Sequence, residues 1–117
     1  MSIEQNKTIA LRWHEEVFNQ RRFDKIDELL DPDYVHHDAG IRGAAAAKAM
    51  FTEMIETTPD THIITEDMIG EGDKVVMRWT QYNGEQAVYR GITILRIVNG
   101  KIVEDRFCGR DLTQPDL

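Results

Sequence analysis

Apolar residues recur at helical spacing through the first half of the chain and alternate with polar ones through the second. Ala10, Trp13, Val17 and Phe18 follow a helical period, Ser2 and Gln5 have the spacing of a capping box, and Glu4 sets a carboxylate near the positive helix end. These signals predict a first helix of about 16 residues. Residues 19–22 interrupt the pattern; Phe23, Ile26, Leu29 and Leu30 then mark a short second helix that Pro32 ends, completing a helical hairpin. Tyr34 and Val35 favour a brief extended run over 33–38, ahead of a turn bracketed by Gly40 and Gly43. The alanine-rich segment Ala44–Glu56 carries an apolar stripe of Ala47, Met50, Phe51, Met54 and Ile55, and Thr57, Thr58 and Pro59 stop this third helix.

Beyond Pro59 the chain reads as sheet. Segments 63–69, 74–82, 87–97 and 102–107 are rich in β-formers, separated by Glu71-Gly72-Asp73, Asn83-Gly84 and Asn99-Gly100. The expectation is one α+β domain over residues 1–117, loose from about Thr113, with three N-terminal helices packed on a curved antiparallel sheet in a cone.

Side-chain alternation sorts the sheet into two faces. With Asn83-Gly84 as a two-residue turn, Trp79 pairs with Val88 and Arg78 with Tyr89. One face then holds Val76, Arg78, Thr80, Tyr82, Tyr89, Gly91, Thr93, Leu95 and Ile97, the expected wall of a pocket. The other holds Val75, Met77, Trp79, Gln81, Val88, Arg90, Ile92, Ile94 and Arg96, too apolar to stand bare in a monomer. A homodimer packed sheet to sheet is expected. In the last hairpin, a two-residue turn puts Thr93 on one face with Arg106; a three-residue loop with a glycine bulge puts it with Asp105 and Phe107. The bulge is favoured, because it sets Val103 and Phe107 beside Leu95 and Ile97 and turns Asp105 inward.

Charge narrows the partners. Against 14 Lys and Arg the chain has 21 Asp and Glu, a net charge of −7, so its field repels nucleic acid and anionic membrane. No apolar run approaches the roughly 20 residues that cross a bilayer, and the N-terminus lacks the plan of a signal peptide; a cytoplasmic location is expected. The single cysteine, Cys108, reads as a small buried residue, and His14 and His62 read as surface residues.

Asn6-Lys7 through Phe18-Asn19, the stretch Leu29-Leu30-Asp31-Pro32-Asp33-Tyr34-Val35-His36-His37-Asp38, the run from Glu66-Asp67-Met68-Ile69-Gly70 to Arg78-Trp79-Thr80, and Arg90-Gly91-Ile92-Thr93-Ile94-Leu95-Arg96 with Gly100-Lys101-Ile102-Val103-Glu104 resemble the SnoaL-like polyketide cyclases of the nuclear transport factor 2-like superfamily. The order and spacing of these stretches span nearly the whole chain. The resemblance implies a conical fold with a deep pocket, often dimeric, in which ring closure by aldol condensation proceeds without metal or organic cofactor. It implies a base on the final strand, where this sequence has Phe107, with Asp105 two residues earlier on the same face. Where the related ketosteroid isomerases keep a tyrosine, a base and an acid, similar positions hold Trp13, Asp38 and Thr93. The loop between the second and third long strands, often longer in such proteins, is cut to Asn83-Gly84, which disfavours large polycyclic substrates.

Two functions are open at this point. The first is a cofactor-independent enzyme acting on a small hydrophobic carbonyl compound, with Asp105 or Asp38 as base and His37, Tyr89 or Thr93 on the enolate oxygen. The second is a binding module using the same cavity without chemistry. Trp13, His36, Arg78, Tyr89, Thr93 and Phe107 are the candidate ligand contacts, and no metal ligand set is evident. His36 and His37 are adjacent in an extended run, so one faces the pocket and the other solvent. Asp38 serves either as base or as a turn cap. An inward Asp105 is a poor base if Arg78 pairs with it and a good one if it stands alone in apolar surroundings.

Overall fold

The computed structural model describes residues 2–114, so the expected loose tail lies, past Gln114, outside the described residues. Helix α1 (Ile3–Arg12) starts with the expected capping box: the Gln5 amide donates to Ser2 Oγ at 3.1 Å and the Ser2 amide to Gln5 Oε1 at 2.8 Å. The helix runs on as a π-helical segment, Trp13–Asn19, in which the Gln20 amide donates to the Glu15 carbonyl at 3.0 Å. Trp13, His14, Val17 and Phe18 of this segment all face the interior. Asn19 then pins the segment to the sheet, its Nδ2 donating to the Ile63 carbonyl at 2.9 Å and its Oδ1 accepting from the Ile63 amide at 2.8 Å.

The second helix is shorter than expected: a 3₁₀ turn (Phe23–Lys25) leads into α2 (Ile26–Leu29), and the chain is already extended at Leu30. Pro32 therefore sits inside strand β1 (Leu30–His36) rather than at a helix end. Strand β2 (Ile41–Arg42) and helix α3 (Ala44–Glu56) follow, then β3 (Thr61–Glu71), β4 (Lys74–Asn83), β5 (Gln86–Val98) and β6 (Lys101–Asp111). The six strands form one sheet in the order β2-β1-β6-β5-β4-β3, antiparallel except where β1 runs parallel to β6. The expected four-stranded antiparallel meander is thus extended by two strands into a mixed sheet. The helices pack on its inner face around Trp13, Ile26, Tyr34, Phe51, Met77 and Leu95, all buried. Among the described residues no helix is long and apolar enough to cross a membrane.

Two bulges set which side chains face inward. The β4–β5 turn falls on Gly84-Glu85, since Asn83 pairs with Gln86; moving the turn one residue leaves the face assignment unchanged. Val88, however, is inserted between the Tyr82–Ala87 and Gln81–Tyr89 pairs, and one extra residue reverses β4 against β5. Val75, Met77, Trp79 and Gln81 therefore face inward with Tyr89, Gly91, Thr93 and Leu95, while Arg78 points outward. In the last hairpin Asn99 and Gly100 both have positive φ, 51° and 79°, a two-residue turn, and Val103 is the bulged residue between Ile97–Ile102 and Arg96–Glu104. Thr93 consequently shares the inner face with Asp105 and Phe107, but Ile102 rather than Val103 fills the core. Cys108, opposite Ile92 on the outer face, is exposed rather than buried.

Gly91 stands opposite Trp79, and a Cβ there would lie 2.6 Å from the indole. The Gly91→Ala variant should lose about 1–3 kcal/mol of stability in urea unfolding as the indole is displaced; unchanged stability and unchanged tryptophan emission would contradict this packing.

Candidate active site

Between the helices and the inner face of the sheet lies a cavity of about 320 Å³. Trp13 and Phe18 of the π-helical segment and Met50, Phe51 and Met54 of α3 cover it; Trp79, Tyr89, Thr93 and Phe107 form its floor. The aromatic rings brace one another. Trp13 meets Phe51 edge to face at 5.1 Å between centroids, and Trp79 stacks on Tyr89 at 5.7 Å. Gly109 leaves room for that stack, since a Cβ there would fall 2.4 Å from the Tyr89 ring.

Asp105 reaches the cavity from β6 with 5% of its surface exposed. The parallel pairing of β1 with β6 sets His36 beside it in register. Tyr34 Oη donates to Asp105 Oδ2 at 3.0 Å, and His36 Nε2 lies 3.8 Å from the same oxygen. His36 Nδ1 accepts the Ala39 amide at 3.2 Å, which assigns the ring proton to Nε2 in the neutral imidazole. Asp105 Oδ1 is buried without a hydrogen-bond partner among the described residues. Burial pushes the Asp105 carboxyl above the usual carboxylate range; His36 and the Tyr34 hydrogen bond pull it back, and the Asp38 carboxylate adds to the rise. The Tyr34 hydroxyl is itself raised, by burial first and then by Asp105.

The arginine that could have neutralised Asp105 is elsewhere. Because of the Val88 bulge, Arg78 lies on the outer face, where Nε and Nη2 donate to Asp67 Oδ2 at 2.9 and 2.7 Å and Nη1 is 3.6 Å from Glu66. It is therefore not a cavity residue. His37 points away from the cavity toward Glu104, 3.8 Å distant. Asp38 is exposed and its Oδ2 accepts the Phe107 amide at 2.7 Å, a backbone tie that holds the segment after β1 against β6. The structure thus brings together Trp13, His36, Tyr89, Thr93, Asp105 and Phe107 from the expected set and leaves out Arg78, His37 and Asp38.

Three cavity groups, Trp79, Gln81 and His14, and the buried Tyr34 behind Asp105 escape the sequence expectation. Trp79 and Gln81 were placed on the outer face by the unbulged register. Trp79 Nε1 donates to Thr93 Oγ1 at 2.9 Å, which leaves the Thr93 hydroxyl proton free to point at a ligand. Tyr34 shares parity with His36, a signal available once His36 is turned inward. His14 was expected at the surface but is buried, at 3% exposure, with Nδ1 2.8 Å from Thr65 Oγ1. Its position completes the stripe of Ala10, Trp13, Val17 and Phe18, which was the available signal. Burial lowers its imidazole pKa to about 4. No group of three His, Cys, Asp or Glu side chains placed to hold a metal occurs among the described residues.

The family model for SnoaL-like polyketide cyclases matches residues 8–114. Among solved structures, the chain is similar to a nuclear transport factor 2-like protein of unknown function from Mesorhizobium loti, at 26% identity, covering 92% of this chain and 93% of that one with a TM-score of 0.77. A Jannaschia sp. CCS1 protein assigned as a SnoaL-like polyketide cyclase shares the fold at 21% identity, 99% and 97% coverage and a TM-score of 0.80. So does a Kribbella flavida protein assigned as a ketosteroid isomerase, at 17% identity, 98% and 84% coverage and a TM-score of 0.78. None of the curated proteins matches the chain by sequence. With the family model covering nearly its whole length and the conical α+β fold in place, this chain belongs to the SnoaL-like polyketide cyclase family.

Proposed function

We propose that the protein is a cofactor-independent enzyme of cyclase or isomerase type that moves a proton next to a carbonyl in a small hydrophobic compound, with Asp105 as base. The supporting observation is the lone buried carboxylate: among the described residues no lysine or arginine pairs with Asp105, His36 Nε2 lies 3.8 Å from its Oδ2, and its Oδ1 has no hydrogen-bond partner. In this mechanism Oδ1 takes a proton from the carbon alpha to the carbonyl, and the C–H electron pair becomes the enolate. Thr93, its oxygen held by the Trp79 indole, donates its hydroxyl proton to the enolate oxygen. The proton on Asp105 then returns to a different carbon, or the enolate carbon attacks a second carbonyl whose oxygen receives that proton. Tyr34 and His36 hold Oδ2, so the orientation of the carboxylate is fixed while its other oxygen reacts.

A second reading, ligand binding without turnover, is favoured by Phe107, whose ring lies 5.5 Å from His36 where the resemblance implies a base. Under either reading the partner is a small molecule rather than nucleic acid or membrane, which the net charge of −7 supports, and we place the protein in the cytoplasm.

We also propose a homodimer through the outer sheet face. Ile64, Ile69, Ile92 and Ile94 are exposed there, Ile69 at 66%. Arg78, Arg96, Glu66 and Glu104 flank them with both signs of charge, so the face can complement a second copy of itself.

Three outcomes follow. In heavy water the protein should exchange the alpha protons of α-tetralone, and Asp105→Asn should slow this by about 10²- to 10⁴-fold by proton NMR; equal exchange in the variant would overturn the base assignment, and tight binding with no wild-type exchange would favour the binding module. Because the folded-state pKa of Asp105 is raised, the folded chain keeps a proton that the unfolded chain has released, and the stability this gives at low pH is lost as pH rises. Activity should therefore climb with pH through a midpoint above the ordinary carboxylate value, and Asp105→Asn should melt a few degrees higher than wild type at pH 7 but not at pH 3; a flat profile or a lower melting point would contradict this. Sedimentation should give a dimer at micromolar concentration that Ile92→Glu with Ile94→Glu dissociates; a wild-type monomer would overturn the interface.

A further inference from the structure

The cavity has a second polar group that the proton-transfer reading leaves unused. His14 lines it from the π-helical segment, its ring edge-on to Phe18 and Trp79 with centroids 5.9 and 6.3 Å away. Its Nδ1 is engaged by Thr65, whereas its Nε2 has no hydrogen-bond partner among the described residues. A polar nitrogen that lines an apolar cavity unpaired costs free energy that a ligand group can recover. The imidazole is neutral, because burial holds its pKa near 4, so it offers a hydrogen bond rather than a charge.

His14 sits on a different part of the cavity wall from Asp105. It packs on Trp79 of β4 and bonds to Thr65 of β3, while Asp105 and His36 belong to β6 and β1. In the strand order, β6 and β4 are separated by β5, which carries Thr93, two strand spacings or about 10 Å. A ligand whose reacting carbon meets Asp105 and whose carbonyl meets Thr93 thus points onward to His14. The volume of about 320 Å³ suits one or two fused rings, on the order of 10 to 20 non-hydrogen atoms.

We propose that His14 is a specificity-determining ligand anchor: it hydrogen-bonds, through Nε2, a hydroxyl on the edge of the substrate remote from the carbonyl, so that the substrate class is a hydroxylated mono- or bicyclic ketone. The choice of a hydroxyl follows from the tautomers. If Thr65 accepts from Nδ1–H, Nε2 is an acceptor; if Thr65 donates to Nδ1, Nε2–H is a donor. A hydroxyl satisfies both, whereas a second carbonyl or an ether satisfies only one. The inference rests on the carbonyl-compound reading above.

The test compares α-tetralone with the α-tetralone that carries a hydroxyl on the far edge of its aromatic ring, by titration calorimetry. Wild type should bind the hydroxylated ketone about tenfold more tightly, His14→Phe should bind the two equally, and His14→Gln should keep part of the preference. No preference in wild type, or the full preference in His14→Phe, would overturn the anchor. Should His14→Phe fail to fold, nitrogen NMR of wild-type imidazoles decides: the hydroxylated ketone should shift His14 Nε2 and the parent ketone should not, and an unmoved Nε2 overturns the proposal. Wild-type exchange of the alpha protons with no preference for the hydroxylated ketone would sink the anchor alone. A preference without exchange would support the anchor and sink the proton-transfer reading, and failure of both ketones to bind would overturn the two together.

Discussion

A carboxylate kept out of water without a lysine or arginine to neutralise it is costly, and the fold around Asp105 is organised by how that cost is met. The parallel pairing of β1 with β6 is the device. It sets His36 in register with Asp105 and brings Tyr34, two residues earlier on the same side, to donate to Oδ2. The same segment is tied down twice more by backbone contacts, the His37 amide to the Asp105 carbonyl at 3.0 Å and the Phe107 amide to Asp38. One oxygen is thereby held and the other left bare. Burial raises the carboxyl above the usual carboxylate range, the direction that suits a group proposed to take up a proton.

The cavity is the other half of the arrangement, and it depends on a helical roof and on one local departure from regular structure in its floor. Trp13, His14 and Phe18 lie on the sheet-facing stripe of the first helix and its π-helical continuation and roof the cavity. On the floor, the Val88 bulge turns Trp79 and Gln81 inward and Arg78 outward. Without it Trp79 would face the outer side and Arg78 would stand among the aromatics, close enough in face to neutralise Asp105. A single inserted residue therefore separates a cavity with a free carboxylate from one with an ion pair.

The elements themselves were largely legible. The capping box at Ser2 and Gln5, helix Ala44–Glu56 and the long hairpins follow from local chemistry, which is written in neighbouring residues. The inward placement of Thr93, Asp105 and Phe107 also emerged, but for another reason than expected: the last hairpin has a two-residue turn with its bulge at Val103, not a three-residue loop with a glycine bulge, so Ile102 replaces Val103 in the core. What local chemistry does not contain was missed: the parallel β1–β6 pair joins residues about 70 positions apart, and nothing beside Val88 marks it as a bulge. The β4 faces were inverted as a result, which put Arg78 in the site and Trp79 outside it. His37 falls on the solvent side by alternation with His36, and Asp38 lies in the turn after β1, where it accepts the Phe107 amide. His14 was hidden by its own polarity, since a histidine inside an apolar stripe reads as surface until the stripe is followed through it.

The most direct test of the account is a carbon NMR titration of the Asp105 carboxyl, assigned by comparison with Asp105→Asn. The account predicts a midpoint clearly above the ordinary carboxylate value of 3.8, as expected for an acid whose burial outweighs its contacts with His36 and Tyr34. A midpoint at or below that value would mean that the carboxylate is stabilised as an anion by its surroundings, and would contradict its assignment as the base.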